Sequence, residues 1–295
     1  MSNGTGGGWS LRRAVAVSPG LLTLLVLFVL PLLELLRQSW SQPVSRFGLD
    51  TTLQADPVHY REALQLAGPL LGRSLLLAGL ATALCVLIGY PLAWWIVRYG
   101  GVWRPLLTGL VITPLFLNAM VRAIAWSSLL ADRGPLLQLL QTSGVLPLLE
   151  AIGLLQDGRL LNTATALVAG LTYSGLPFLV LPLVASLSTI PPELLEAAAD
   201  LQAGPWRCFR RVILPLSLPG LVSGCLLTFI PALGDVVNAQ VLGGASDRMV
   251  GNLLQNLVLV QQRFNTGAAL AMVLLLIAVA ALLLEGRALR SRHTP

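Results

Sequence analysis

A chain of 295 residues that is 55% hydrophobic and only 11% charged, with a mean hydropathy of +0.78 and a formal net charge of +6, lies outside the range of soluble globular domains. So much apolar sequence leaves no room for a separate soluble domain, and the basic residues lack the interleaved aromatic pattern that reads nucleic acid. The composition is that of an all-α polytopic membrane protein.

A helix needs about 20 mainly apolar residues to cross the hydrocarbon layer, and six runs qualify: 14–36, 69–97, 105–130, 163–187, 212–234 and 266–285. The first follows Arg12 and Arg13 but is too long for a signal-peptide core and lacks a small-residue cleavage site, so it reads as a retained helix. Residues 1–13, with Gly4, Gly6, Gly7 and Gly8, read as a flexible cytoplasmic tail. Residues 14–286 form one six-helix transmembrane domain with a cytoplasmic loop at 188–212, and 287–295 a second cytoplasmic tail.

Arginine distribution sets the expected orientation, because basic residues near helix ends stay on the cytoplasmic side. With both termini inside, segments 1–13, 98–104, 188–212 and 286–295 hold ten arginines in 55 residues, against seven in the 94 residues of the outer loops.

Every one of the 19 basic residues is arginine. Without lysine there is no Walker A loop to bind a nucleotide and no Schiff-base chemistry. His59 and His293 lie in a loop and a tail, and Cys85, Cys208 and Cys225 have no paired spacing, so neither catalytic nor metal chemistry is expected. No cofactor is expected in this chain.

Ionisable groups within spans are costly and mark candidate pathway residues. In the third run these are Arg122 and, one turn earlier, the polar Asn118. Arg122 lies about 27 Å along that helix at 1.5 Å per residue, so it also has the reach to snorkel to the outer headgroups. Asp235, closing the fifth run, is the third candidate, as a carboxylate placed to meet an ammonium group. Glu34 and Arg73 read as interfacial, and Trp94, Trp95 and Trp103 as an aromatic belt. Ser223, Gly224 and Thr228 give the fifth run a small face for close packing.

The charged segment 193–220 stands apart. Pro191 and Pro192 suit a first helical turn and Glu193 suits its positive end. Helical periodicity then puts Glu193, Glu196 and Asp200 on one stripe and Leu194, Ala198 and Leu201 on another. Gly204 and Pro205 break the helix, and a second short basic helix, 206–211, leads into the fifth run.

This segment resembles the EAA loop of the membrane subunits of ATP-binding-cassette importers: Glu196, Ala197 and Ala198 match the signature, Val212 stands for its isoleucine, and Leu214 and Pro215 match its Leu-Pro. Gln202 stands where the signature has glycine, so the expectation is a turn displaced to Gly204 and Pro205. From about residue 60 to 281 the chain is similar to spermidine/putrescine-type permeases, with Gly89-Tyr90-Pro91-Leu92-Ala93-Trp94, Pro114, Leu242-Gly243-Gly244 and Gly251-Asn252 as further markers.

The resemblance implies a type I ABC importer permease with the MetI-like fold in a bacterial inner membrane. It implies coupling through Glu193, Glu196, Ala197, Ala198, Asp200, Gln202, Gly204, Leu214 and Pro215 to cytoplasmic ATP-binding subunits that hold the ATP. A second homologous permease subunit, an extracytoplasmic substrate-binding protein and membrane lipid complete the implied partners, with no nucleic acid. A polyamine is the implied substrate. Two alternatives stay open: a stand-alone secondary transporter, and an ABC permease for an opine or amino acid.

Overall fold

The computed structural model describes residues 20, 22–43, 51–53, 57–143, 150, 155 and 158–290. The tail 1–13, the first residues of the run 14–36, His293 and the end of the second tail lie outside the described residues.

Among the described residues, five helices are long and apolar enough to cross a membrane: α1 (Leu22–Ser39), α2 (Val58–Tyr99), α5 (Ala164–Ser188), α7 (Pro205–Leu233) and α10 (Phe264–Arg290). A sixth crossing is broken: α3 (Gly101–Phe116) and α4 (Ala119–Thr142) meet at 98°. The expected third span, 105–130, contains this break. Its local cause is a tightened 3₁₀ turn at Thr113–Phe116, after which Leu117 and Asn118 take extended backbone (ψ 139° and 138°). Shorter helices are α6 (Pro192–Asp200), α8 (Val237–Val241) and α9 (Val250–Val260).

The second helix starts at Val58 rather than at Pro69, which it carries inside it together with Pro91. The expected helix 206–211 is likewise not separate, because α7 runs unbroken from Pro205. A π turn at Phe209–Ile213 sits just ahead of Pro215, and there the Leu214 N–H donates to the Phe209 carbonyl, five residues back. A proline ring clashes with the carbonyl four residues before it, and the wider turn relieves that clash.

The chain divides into two compact units. In the first, residues 1–66 and 257–276, a two-stranded antiparallel hairpin pairs β1 (Ser41–Pro43) with β2 (Thr51–Leu53). Asn265 Nδ2 donates to the Gln38 carbonyl at 3.0 Å and to the Ser41 carbonyl, Tyr60 meets Ser39 at 2.8 Å, and Arg263 pairs with Glu62. Glu34 pairs with Arg37 one turn on, in keeping with an interfacial position.

The core of the second unit, residues 67–256 and 277–295, is α5, which is apolar on all sides and buried along most of its length. It packs against α7 so closely that a Cβ on Gly224 would come within 2.9 Å of the Leu179 carbonyl, and one on Gly175 within 2.5 Å of Thr228. The small face expected on the fifth run is therefore used: Gly224 and Thr228 are buried, Ser223 half-buried. Tyr90, Ala93 and Ile96 of α2, Val180 to Leu187 of α5 and Ile213 of α7 form one apolar cluster, with Trp94 packed against it.

Candidate functional site

The hairpin of α6 and the start of α7 forms the first candidate site. Pro191 caps α6 with extended backbone, and Glu193 lies in its first turn. Glu193, Glu196, Ala197 and Asp200 are exposed, whereas Ala198 is buried. The packing face differs from the expected stripe: Leu195 and Ala198 face inward, while Leu194 and Leu201 are 43% and 82% exposed. A free face of acids, small residues and two leucines results.

The turn is not displaced. Gln202 itself takes the left-handed conformation, at φ 52°, and Gly204 has an ordinary φ of −59°. The Gln202 N–H donates to the Ala199 carbonyl at 2.8 Å and the Ala203 N–H to the Ala198 carbonyl at 3.0 Å, a Schellman closure of the α6 C-terminus. These two bonds satisfy carbonyls that would otherwise be orphaned, and they hold glutamine where glycine would sit with less strain. The expected role of Gly204 as the hinge is thereby corrected.

Aromatic contacts anchor the hairpin. Trp206, 71% exposed, stacks on Phe209 at 5.5 Å, Phe209 meets the edge of Tyr90 at 5.5 Å, and the Tyr90 hydroxyl hydrogen-bonds Ser217 at 2.7 Å. Tyr90 thus ties α2 to both the hairpin and α7. Leu214 packs on the same cluster, and Pro215 is exposed.

The second candidate site gathers around the broken crossing. Asn118 caps α4, its Oδ1 accepting the Met120 N–H at 2.8 Å. Arg122 turns back across the break and donates from Nη1 to the Pro114 carbonyl at 2.8 Å, leaving its buried Nε without a partner. It does not extend along a straight helix toward headgroups, because the helix is not straight.

Asp235 caps α8: it accepts the Asn238 N–H at 2.7 Å and the Asn238 side-chain amide at 3.0 Å. Burial raises its pKa above the usual carboxylate range, opposed by the Asn238 bonds and by the charge of Arg122. Arg122 and Asp235 are brought within electrostatic reach; the hairpin residues belong to the separate site above.

Sequence reasoning missed a third group. Asp247, 1% exposed, pairs with Arg73 and accepts the Gly244 N–H at 3.0 Å. The next residue along α2, Ser74, accepts the Val250 N–H at 2.8 Å. Arg73 is therefore a partner to a buried acid. An acid beside the paired glycines 243 and 244 was the available signal.

A family model described as a binding-protein-dependent transport system inner membrane component matches residues 85–286. The chain is 34% identical over 245 residues to the spermidine/putrescine transport system permease protein PotB of Escherichia coli, covering 83% of each. It is 38% identical over 198 residues to PotB of Haemophilus influenzae, covering 67% of this chain and 66% of the relative. Among solved structures, a bacterial ABC transporter that imports alginate superposes with a TM-score of 0.64 at 18% identity, over 97% of this chain and 98% of that one. The MetNI methionine transporter in an inward-facing conformation does so at 0.55 and 18%, over 78% and 97%. These two show the fold, that of the type I ABC importer permeases. With a family model spanning two thirds of its length and PotB-like identity over most of it, the chain belongs to the inner-membrane components of binding-protein-dependent transport systems, a family of multi-pass permeases.

Proposed function

We propose that this chain is one half of the translocation pathway of a polyamine importer and takes its energy from ATP-binding subunits docked on the α6 hairpin. The hairpin carries this reading: a short helix anchored through Leu195 and Ala198 presents exposed Glu193, Glu196 and Asp200 beside exposed Leu194 and Leu201. In this reading both termini are cytoplasmic, a homologous permease subunit completes the pathway, and an extracytoplasmic binding protein delivers substrate. The chain binds no cofactor and catalyses no reaction of its own. The spermidine/putrescine systems to which the PotB relatives belong supply the substrate class.

Around the pathway, Asp235 offers the carboxylate that an ammonium group needs, and burial, which raises its pKa, favours a cation arriving beside it. Coupling requires that the partner make different contacts in the two states of the transporter.

The test is uptake of radiolabelled spermidine and putrescine into proteoliposomes carrying the full transporter and its binding protein. ATP-dependent uptake that disappears in Glu196→Lys, with the chain still inserted, is expected. Uptake that persists without the ATP-binding subunits sinks the reading, and uptake of amino acids or opines in place of polyamines corrects the substrate.

A further inference from the structure

The turn between α2 and α3 reads Arg98-Tyr99-Gly100-Gly101-Val102-Trp103-Arg104. It is held rigid, the Gly100 N–H bonding to the Ile96 carbonyl at 3.1 Å and the Trp103 N–H to the Gly100 carbonyl at 2.8 Å. Its apolar side chains point outward all the same: Tyr99 is 71% exposed, Val102 95% and Trp103 68%. An ordered turn that shows three large apolar groups, bracketed by two arginines, fits a polar-apolar boundary and not bulk water.

The arginines are uncommitted. Neither Arg98 nor Arg104 has an ion pair or side-chain hydrogen bond among the described residues, and the same holds for Arg210 and Arg211 at the start of α7. Ile96 and Val97 before the turn and Leu107 after it belong to the same apolar cluster as Leu195 of the hairpin and Phe209 and Ile213 of α7. Arg98 and Arg104 thus bracket an exposed aromatic tip at the end of α2 whose apolar cluster also takes in the hairpin.

We propose that this surface is a binding site for the headgroup of an anionic phospholipid of the inner leaflet, with Trp103 and Val102 in the acyl boundary and Arg98 and Arg104 at the phosphate. It rests on the reading that the hairpin side is cytoplasmic. Guanidinium groups match phosphate oxygens in geometry as well as charge, and each basic group at an anionic surface adds to retention.

The test uses the purified chain in phosphatidylcholine vesicles containing either brominated phosphatidylglycerol or brominated phosphatidylcholine. Quenching of Trp103 is read as the difference between the native chain and Trp103→Phe. The brominated anionic lipid is expected to be preferred on the order of tenfold, Arg98→Gln/Arg104→Gln to abolish the preference, and Arg98→Lys/Arg104→Lys to keep most of it. Equal quenching by both lipids in the native chain overturns the proposal. So does a preference that survives Arg98→Gln/Arg104→Gln while ATP-binding subunits no longer co-purify, since the arginines then belong to that interface. The readout needs neither ATP nor a partner subunit, so failure of ATP-dependent uptake leaves it standing.

Discussion

Arg122 reaches back eight residues to hydrogen-bond the Pro114 carbonyl across the 98° break between α3 and α4. That carbonyl already accepts the Leu117 N–H at 3.3 Å within the tight turn, and the guanidinium takes its second lone pair. The arginine therefore adds a charge-assisted bond across the bend, and its charge lies within electrostatic reach of Asp235.

Replacing Arg122 by Met removes a charge-assisted hydrogen bond worth about 1.5–3 kcal/mol. Uptake is expected to fall at least tenfold while insertion is retained. Lysine, whose single ammonium lacks the planar fork, recovers part of it. Transport assays alongside thermal unfolding in detergent separate loss of the bend from loss of the fold.

At the hairpin turn, Gln202→Gly relieves left-handed strain of about 1 kcal/mol. Gln202→Val, branched at Cβ, raises that strain. Gly204→Val is mild, since nothing lies within 4 Å of a Cβ there and its φ is ordinary. The measured order of co-purification with ATP-binding subunits should be Gln202→Gly, native, Gly204→Val, Gln202→Val, from strongest to weakest; a weaker Gly204→Val than Gln202→Val contradicts the turn described above.

The Arg73 and Asp247 pair is asymmetric, at 37% and 1% exposure. Arg73→Met strands a buried carboxylate and is expected to cost about 3–5 kcal/mol. Asp247→Asn leaves a partly exposed guanidinium that water can reach, and costs less. The double variant Arg73→Met/Asp247→Leu should recover most of the loss, which a double-mutant cycle on unfolding midpoints reads directly.

Asp235 gives a pH signature. Burial raises its native pKa above the 3.8 of a free aspartate, so between the two values the folded state holds more protons than the unfolded one. Stability is then full below pH 3.8 and falls as pH rises through the native pKa. Asp235→Asn should flatten that part of the unfolding profile, and an unchanged profile would mean that Asp235 ionises as freely as in water.

Much of the architecture is legible from composition, because a continuous apolar helix has to satisfy its own backbone in lipid and so announces its length. The runs at 163–187 and 212–234 correspond closely to α5 and the membrane part of α7. The broken crossing is not legible in the same way. Its apolarity continues through Leu117, and the 3₁₀ turn and extended residues that break it leave the hydropathy pattern unchanged. Gln202 misled for a related reason: local propensity disfavours a left-handed glutamine, but two carbonyl bonds at the helix end outweigh that preference. Asp247 stayed hidden because its partner is 174 residues away.

The continuity of α7 has a mechanical consequence. Its 29 residues make a rod about 43 Å long, with Trp206 at one end and Asp235 two residues past the other. Pro219 and Pro231 lie within it without ending it. No break in the backbone helix separates the hairpin from Leu233, so the two ends are mechanically linked through the close contact of Gly224 with Leu179 of α5.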